Sequence, residues 1–176
     1  MSAAVELLSL QEFLARPDRQ DNQREELIDG ELIVSPGAKV SHAALVGRLR
    51  ASLALLEQRG YVLANDFACV LGGRSMPIPD LAAVRKDRWQ SAADNDEWLD
   101  GSPELVIGVA SPSNRKLHRK AEGYLEHGAE QVWIVFPGTQ TVTVVTAEGT
   151  TEARMGETVE FHGVRVEVAL IFTRSS

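Results

Sequence analysis

An aspartate stands at the start of an apolar run in the middle of the chain, where its carboxylate could bind a metal ion. Asp80 follows the turn Pro77-Ile78-Pro79 and precedes Leu81-Ala82-Ala83-Val84, a pattern typical of an acid at the start of a buried strand. A second apolar run begins at Glu104. Carboxylates on two strands can together hold Mg²⁺ against a phosphodiester. We interpret Asp80 as a metal-binding and catalytic candidate; the alternative is a turn acid that follows proline.

The densest group of basic residues follows the second apolar run, in a segment with helical periodicity. Its members are Arg115, Lys116, His118, Arg119 and Lys120. Lys116 and Lys120 share one helix face, as do Lys120 and Tyr124, because residues four apart are neighbours on a helix. Arg115, Lys116, Arg119, Lys120 and Tyr124 are therefore candidates for binding nucleic acid. The alternative is a solvated helix face without a ligand.

The composition limits where nucleic acid could bind. The 176 residues are 44% hydrophobic, which predicts one compact domain over residues 1–176. The 18 Lys and Arg residues against 25 Asp and Glu residues give a net charge of -7. The whole surface therefore does not attract phosphates, and a nucleic-acid site must be local.

The single cysteine and the N-terminal sequence indicate the compartment. Cys69 has no second cysteine to pair with, which excludes an internal disulfide and a multi-cysteine zinc site and favours a buried, unreactive side chain. Neither a secretory signal nor a membrane-spanning run is evident. We expect a cytoplasmic protein.

Hydrophobic periodicity predicts a mixed sheet with helices packed on it. A capping box at Ser9 and Glu12 begins a short helix, Asp29-Gly30 favours a hairpin turn, and a long helix is predicted from Val40 to Gly60. A further helix is predicted from Leu117 to Gly128, between the apolar runs Glu104–Ala110 and Gln131–Phe136. This strand-helix-strand order predicts that the two strands run parallel. Strands are predicted over Tyr61–Leu71, Asp80–Val84, Glu104–Ala110, Gln131–Phe136, Thr141–Val145, Thr150–Arg154, Thr158–Phe161 and Val164–Phe172.

Several of these segments together resemble the Uma family of putative restriction endonucleases, part of the PD-(D/E)XK restriction-endonuclease-like superfamily. The matching segments are ELIDGELIVSP with His42 shortly after it, IPDLAAV, PELVIGVASPS, RKLHRKAEGYLEHGAEQVWIV and the strand that follows. They extend from Glu25 to Val145, which is most of the chain. The order and spacing of these segments are more specific than any single acid.

The resemblance implies an α/β (α+β) fold with a restriction-endonuclease-like core, in which helices flank a central mixed β-sheet. Asp80 matches the aspartate of the PD pair and is implied as a metal ligand. Lys120 is implied to stabilise the attacked phosphate, because Ala110 occupies the usual place of the catalytic lysine. Glu31 and His42 match further site residues, with an exposed strand acid and a helix-cap or surface histidine as their alternatives.

One position departs from the family at the expected metal site. The second acid of the family aligns with Gly108, which offers no ligand. Mg²⁺ or Mn²⁺ is therefore expected to bind weakly or not at all. Glu104 lies on the same strand face but at its opposite end, and is an alternative ligand. A glutamate in place of Gly108 is expected to project towards Asp80.

Three functions remain open at this point. The first is a metal-dependent endonuclease that hydrolyses phosphodiester bonds and is impaired by Gly108, with DNA as its implied partner. The second is a non-catalytic protein that binds nucleic acid or a protein partner through the basic helix. The third is a structural homodimer, and a homodimer is the expected assembly in any case. The segment around Trp89 and Trp98 is expected to form a packed lid or a dimer surface.

Overall fold

The computed structural model describes residues 7–17, 23–111 and 116–173, with a mixed sheet at the centre. The helices are α1 (Leu10–Leu14), α2 (Val40–Ser52), α3 (Lys86–Asp94), α4 (Leu117–Glu126) and α5 (Val168–Phe172). The strands are β1 (Arg24–Ile28), β2 (Glu31–Ser35), β3 (Tyr61–Ala64), β4 (Cys69–Val70), β5 (Leu81–Arg85), β6 (Leu99–Asp100), β7 (Leu105–Val109), β8 (Gln131–Phe136), β9 (Thr141–Thr146), β10 (Gly149–Ala153), β11 (Thr158–Phe161) and β12 (Val164–Glu167).

The central sheet has six strands in the order β10-β9-β8-β7-β5-β3. β7 and β8 run parallel and are joined through α4, whereas the other neighbours in this sheet are antiparallel. The described residues also form three two-stranded pairs, β1 with β2, β11 with β12, and β4 with β6. The mixed α/β architecture predicted from the sequence is confirmed.

Helices cover both faces of the sheet. On one face Leu105, Ile107 and Val109 of β7 belong to the same core as α2 and α5. On the other face Val106 packs in a second core with α4. All five residues of β7 are consequently buried, as its unbroken apolar sequence predicts.

Local sequence signals determine the start of α1 and the turn between β1 and β2. Ser9 and Glu12 form the predicted capping box at the start of α1. Asp29 and Gly30 have φ values of 50° and 85°, so both central residues of the β1–β2 turn are left-handed. This is the conformation that an Asp-Gly hairpin turn requires.

Two strand predictions are wrong in extent. The predicted strand Tyr61–Leu71 is broken, because β3 ends at Ala64 and Asp66 has a φ of 58°; Cys69 then pairs with Leu99 in a separate small sheet. The predicted closing strand Val164–Phe172 ends at Glu167 and continues as α5. A helix brings Val168 and Ile171, three positions apart, into the same core, whereas a strand would direct them to opposite faces.

No helix among the described residues is long and apolar enough to cross a membrane.

Candidate functional site

A cleft of about 720 Å³ lies at the edge of the sheet where β5 begins and β7 ends. The two strands are antiparallel neighbours, with Leu81 opposite Ile107, so Asp80 reaches the same edge as Gly108 and Val109. The first strand of the β1–β2 hairpin, the start of α2 and the inner face of α4 form the remaining walls. Residues on these walls include Arg24, Glu26, His42, Leu117, Lys120 and Tyr124.

Asp80 is held at the cleft wall by backbone hydrogen bonds. The Val109 N–H donates to Asp80 Oδ2 at 2.7 Å, and the Asp80 N–H donates to the Ile107 carbonyl at 3.2 Å. The other carboxylate oxygen, Oδ1, lies 3.2 Å from His42 Nε2 and 3.6 Å from Arg24 Nη1. The predicted catalytic carboxylate therefore faces a guanidinium and an imidazole.

His42 is placed by the first turn of α2 and titrates under the influence of Asp80. The hydrogen bond to the Asp80 carboxylate raises the pKa of His42 above its ordinary value, although partial burial acts in the opposite direction. The carboxylate favours the imidazolium form because it stabilises the positive charge.

Lys120 is buried in the cleft wall and makes an ion pair with Glu26. Lys120 Nζ lies 2.6 and 2.8 Å from the two carboxylate oxygens of Glu26, and the two side chains are 7% and 6% exposed. The Ile78 N–H also donates to Glu26 Oε1 at 2.7 Å. These contacts of Glu26 join α4, β1 and the turn before Asp80. Lys120 therefore lies at the cleft, but the Glu26 carboxylate already neutralises its charge.

Two buried groups lie near this ion pair. The Tyr124 hydroxyl has no hydrogen-bond partner among the described atoms, and burial raises the pKa of Tyr124. Cys69 is fully buried, and burial raises the pKa of its thiol to about 12. The thiol therefore stays protonated and behaves as the small apolar side chain that the sequence predicts.

The other basic residues of α4 contact the β1–β2 hairpin instead of the cleft. Lys116 forms an ion pair with Glu31. Arg119 Nε lies 2.5 Å from Asp29 Oδ2, and its Nη1 lies 3.4 Å from Glu31 Oε1. Hairpin acids thus face these two basic side chains.

The structure brings some of the predicted site residues together and separates others. Asp80, His42, Lys120 and Tyr124 line the cleft, whereas Glu31, Lys116 and Arg119 lie outside its lining. Arg115 lies outside the described residues. The predicted shared face of Lys116 and Lys120 is divided, because Lys120 is buried and Lys116 is half-buried against Glu31.

Two cleft residues, Arg24 and Glu26, were missed by the sequence analysis. Both lie on β1 with Ile28 at alternate positions, and side chains at alternate positions point to the same strand face. Period-two alternation does not show which face of β1 points into the cleft, because Leu27 on the opposite face is as buried as Ile28. The sequence therefore carries no local signal for these two residues.

The position of the missing acid is packed by a leucine. A Cβ atom added to Gly108 would lie 2.7 Å from Leu117 Cδ2, so a glutamate at this position can project towards Asp80 only after the leucine side chain shifts. Leu117 must move before a larger side chain fits. Glu104 does not replace the acid, because it accepts hydrogen bonds from Arg88 Nη1 at 2.7 Å and the Arg85 N–H at 2.9 Å at the other end of β7.

The donor set of the cleft does not fit the divalent metal that the resemblance implies. Mg²⁺ requires several oxygen ligands in a near-octahedral arrangement. Asp80 faces a backbone N–H, a guanidinium and an imidazole, Glu26 is paired with Lys120, and Gly108 has no side chain. Within residues 7–17, 23–111 and 116–173, no three His, Cys, Asp or Glu side chains form a group that could hold a metal ion.

Comparison with known proteins identifies the family. The Uma2 family, described as "Putative restriction endonuclease", matches residues 10–172. The fold is similar to the crystal structure of a putative nuclease belonging to DUF820 from Anabaena variabilis ATCC 29413, with a TM-score of 0.80 and 22% sequence identity over 94% of this chain and 97% of that chain. No curated protein sequence matches the chain significantly. The family match extends from α1 to α5, and the chain therefore belongs to the Uma2 family of restriction-endonuclease-like proteins.

Proposed function

We propose that this chain is a nuclease of the Uma2 type that receives a phosphodiester of DNA in the cleft around Asp80, and that its hydrolytic activity is impaired. Family membership supports nucleic acid as the substrate class. One observation carries the proposed impairment: the Leu117 side chain occupies the space into which a side chain at position 108 would extend.

The binding part of the proposal depends on the charges that face Asp80. Arg24 and, when it is protonated, His42 place positive charge on one side of this carboxylate, and a guanidinium matches the geometry of phosphate oxygens. Asp80 orients both groups. Lys120 supports the cleft indirectly. Its ion pair with Glu26 holds the cleft wall in place and neutralises the positive charge of the lysine.

The catalytic part of the proposal concerns the missing ligand. With Asp80 as its one candidate carboxylate ligand, the cleft binds Mg²⁺ or Mn²⁺ weakly or not at all. A carboxylate added at position 108 can bind a metal ion only if the Leu117 side chain moves away. Leu117 is therefore, like Gly108, expected to determine nuclease activity.

Four forms of the protein test this proposal: the unmodified chain, Gly108→Glu, Leu117→Ala, and the double variant. Calorimetric titration with Mn²⁺ and nicking of supercoiled plasmid DNA are measured for each. We expect the double variant to gain the most Mn²⁺ affinity and nicking activity. Adding Asp80→Asn to the double variant is expected to abolish both gains.

Two results would contradict the proposal. One is nicking by the unmodified chain that equals nicking by the double variant and depends on Asp80. The other is a double variant that keeps the circular dichroism spectrum of the unmodified chain but gains neither metal affinity nor activity.

A further inference from the structure

We propose that a second groove beside the cleft binds an unpaired nucleobase next to the phosphodiester held near Asp80. This inference rests on the proposed function. The groove, called here the aromatic groove, has a volume of about 700 Å³ and lies between α1, the segment after β3, and α3. Its walls include Phe13, Leu14, Phe67, Met76, Trp89 and Trp98.

The aromatic groove presents ring surfaces suited to a flat base. Phe67 and Trp89 pack edge to face, with ring centroids 5.1 Å apart and an interplanar angle of 90°. This contact fixes the orientation of the two rings relative to each other. Trp98 is 55% exposed, so a large part of its side chain is accessible. Bases stack on aromatic side chains with little dependence on sequence, because every base has a π face.

The charges around the aromatic groove favour a base over a phosphate. Glu25, Asp66 and Glu97 contribute carboxylates to its lining, whereas Arg16 is the only Lys or Arg side chain among the described residues that line it. This negative edge repels phosphate groups. Glu25 is paired with Arg16 and Asp66 with Arg24. The Glu97 carboxylate can accept a hydrogen bond from the exocyclic amino group of adenine, cytosine or guanine.

The aromatic groove adjoins the cleft. Gln23 and Ile78 line both cavities. Arg24 connects them, because its Nη1 lies 3.6 Å from Asp80 in the cleft and its Nη2 is bonded to Asp66 in the groove. A nucleotide whose phosphate lies at Arg24 can therefore place its base in the groove, since only the sugar separates the two groups.

The test measures binding of a fluorescein-labelled single-stranded DNA oligonucleotide to the full chain by fluorescence anisotropy. Trp98→Ala is expected to weaken binding about tenfold, in the range for loss of one stacked base. Leu170→Ala is the matched control, because Leu170 is equally exposed, at 55%, but lies on α5. Oligonucleotides in which one, several or all nucleotides are abasic should bind progressively more weakly to the unmodified chain, and this dependence should be reduced in Trp98→Ala.

The outcomes separate this inference from the proposed function. If Arg24→Ala weakens binding but Trp98→Ala and abasic substitution do not, the aromatic groove does not bind a base and the nuclease proposal stands. If no oligonucleotide binds to the unmodified chain, both proposals fail. If Trp98→Ala instead dissociates a homodimer in sedimentation experiments and leaves DNA affinity unchanged, the groove is a subunit interface and the inference is wrong.

Discussion

The Asp80 and His42 side chains form a pair whose stabilising effect depends on protonation. The carboxylate stabilises the imidazolium and raises the pKa of His42 above its ordinary value of 6.5. A raised folded-state pKa means that the folded protein binds a proton more tightly than the unfolded chain does. The contribution to stability is therefore fully present below the unfolded-state pKa and is lost as pH rises through the folded-state pKa.

This linkage predicts a pH-dependent difference between the unmodified chain and His42→Ala. The free energy of unfolding should favour the unmodified chain more at about pH 6 than at about pH 9, because the imidazolium is lost over this range. Urea unfolding at both pH values measures the difference. His118→Ala is the control, since His118 packs near the Phe136 ring and contacts no carboxylate among the described residues. A pH-independent difference for His42→Ala would contradict the prediction.

Residue-scale chemistry was predictable where it depended on local sequence. Asp80 was identified because a proline-rich turn and an apolar strand surround it. Glu26 was not identified, because its importance comes from Lys120, which is 94 positions away in the chain. No local pattern reports which distant cation a buried carboxylate meets.

At the scale of elements, the buried pair Glu26–Lys120 joins helix α4 to strand β1. Lys120→Met is expected to lower the free energy of unfolding by about 3–5 kcal/mol, because it leaves a buried carboxylate without its cation. Glu26→Gln added to Lys120→Met should recover much of the loss, because the amide oxygen can still accept from the Ile78 N–H and no charge remains. Urea unfolding of the single and double variants measures both effects.

The exposed pair of Arg165 and Glu160 provides the comparison for this element-scale prediction. These side chains are 77% and 49% exposed, so Arg165→Met should change stability by less than about 1 kcal/mol. If Lys120→Met and Arg165→Met lower the free energy of unfolding equally, burial of the ion pair does not determine its contribution to stability.

Elements themselves were predictable to different extents. The capping box of α1 and the Asp-Gly turn were found because their signals lie within a few residues. The change from β12 to α5 was missed, because a run of apolar residues suits either a strand or a short helix until the core that it covers is known. The contacts of Lys116 and Arg119 with the hairpin likewise depend on how α4 packs.

For the whole molecule, the small number of cationic groups at the cleft predicts a weak dependence of DNA binding on salt, and the net charge of -7 offers no general attraction for phosphates. Arg24 and His42 are the cationic groups proposed to meet phosphate, so about two counterions are released. The logarithm of the affinity should then fall with the logarithm of salt concentration with a slope of about -1.4 for single-stranded DNA. Anisotropy titrations from low to high KCl measure this slope.

The same titration with Arg24→Ala provides the control at this scale. Its slope should become shallower by about 0.7, as expected for the loss of one phosphate contact. Arg119→Ala should leave the slope unchanged, because Arg119 does not line the cleft. A steep slope that depends on Arg119 would instead locate DNA on the outer side of α4.

The contact between Gly108 and Leu117 also restricts how this sequence can evolve. A glutamate introduced first at position 108 would have to displace the leucine methyl groups and would place a charge against them. A small residue introduced first at position 117 would leave a cavity that costs about 2–5 kcal/mol before any benefit appears. A second acid beside Asp80 therefore requires coordinated changes at positions 108 and 117.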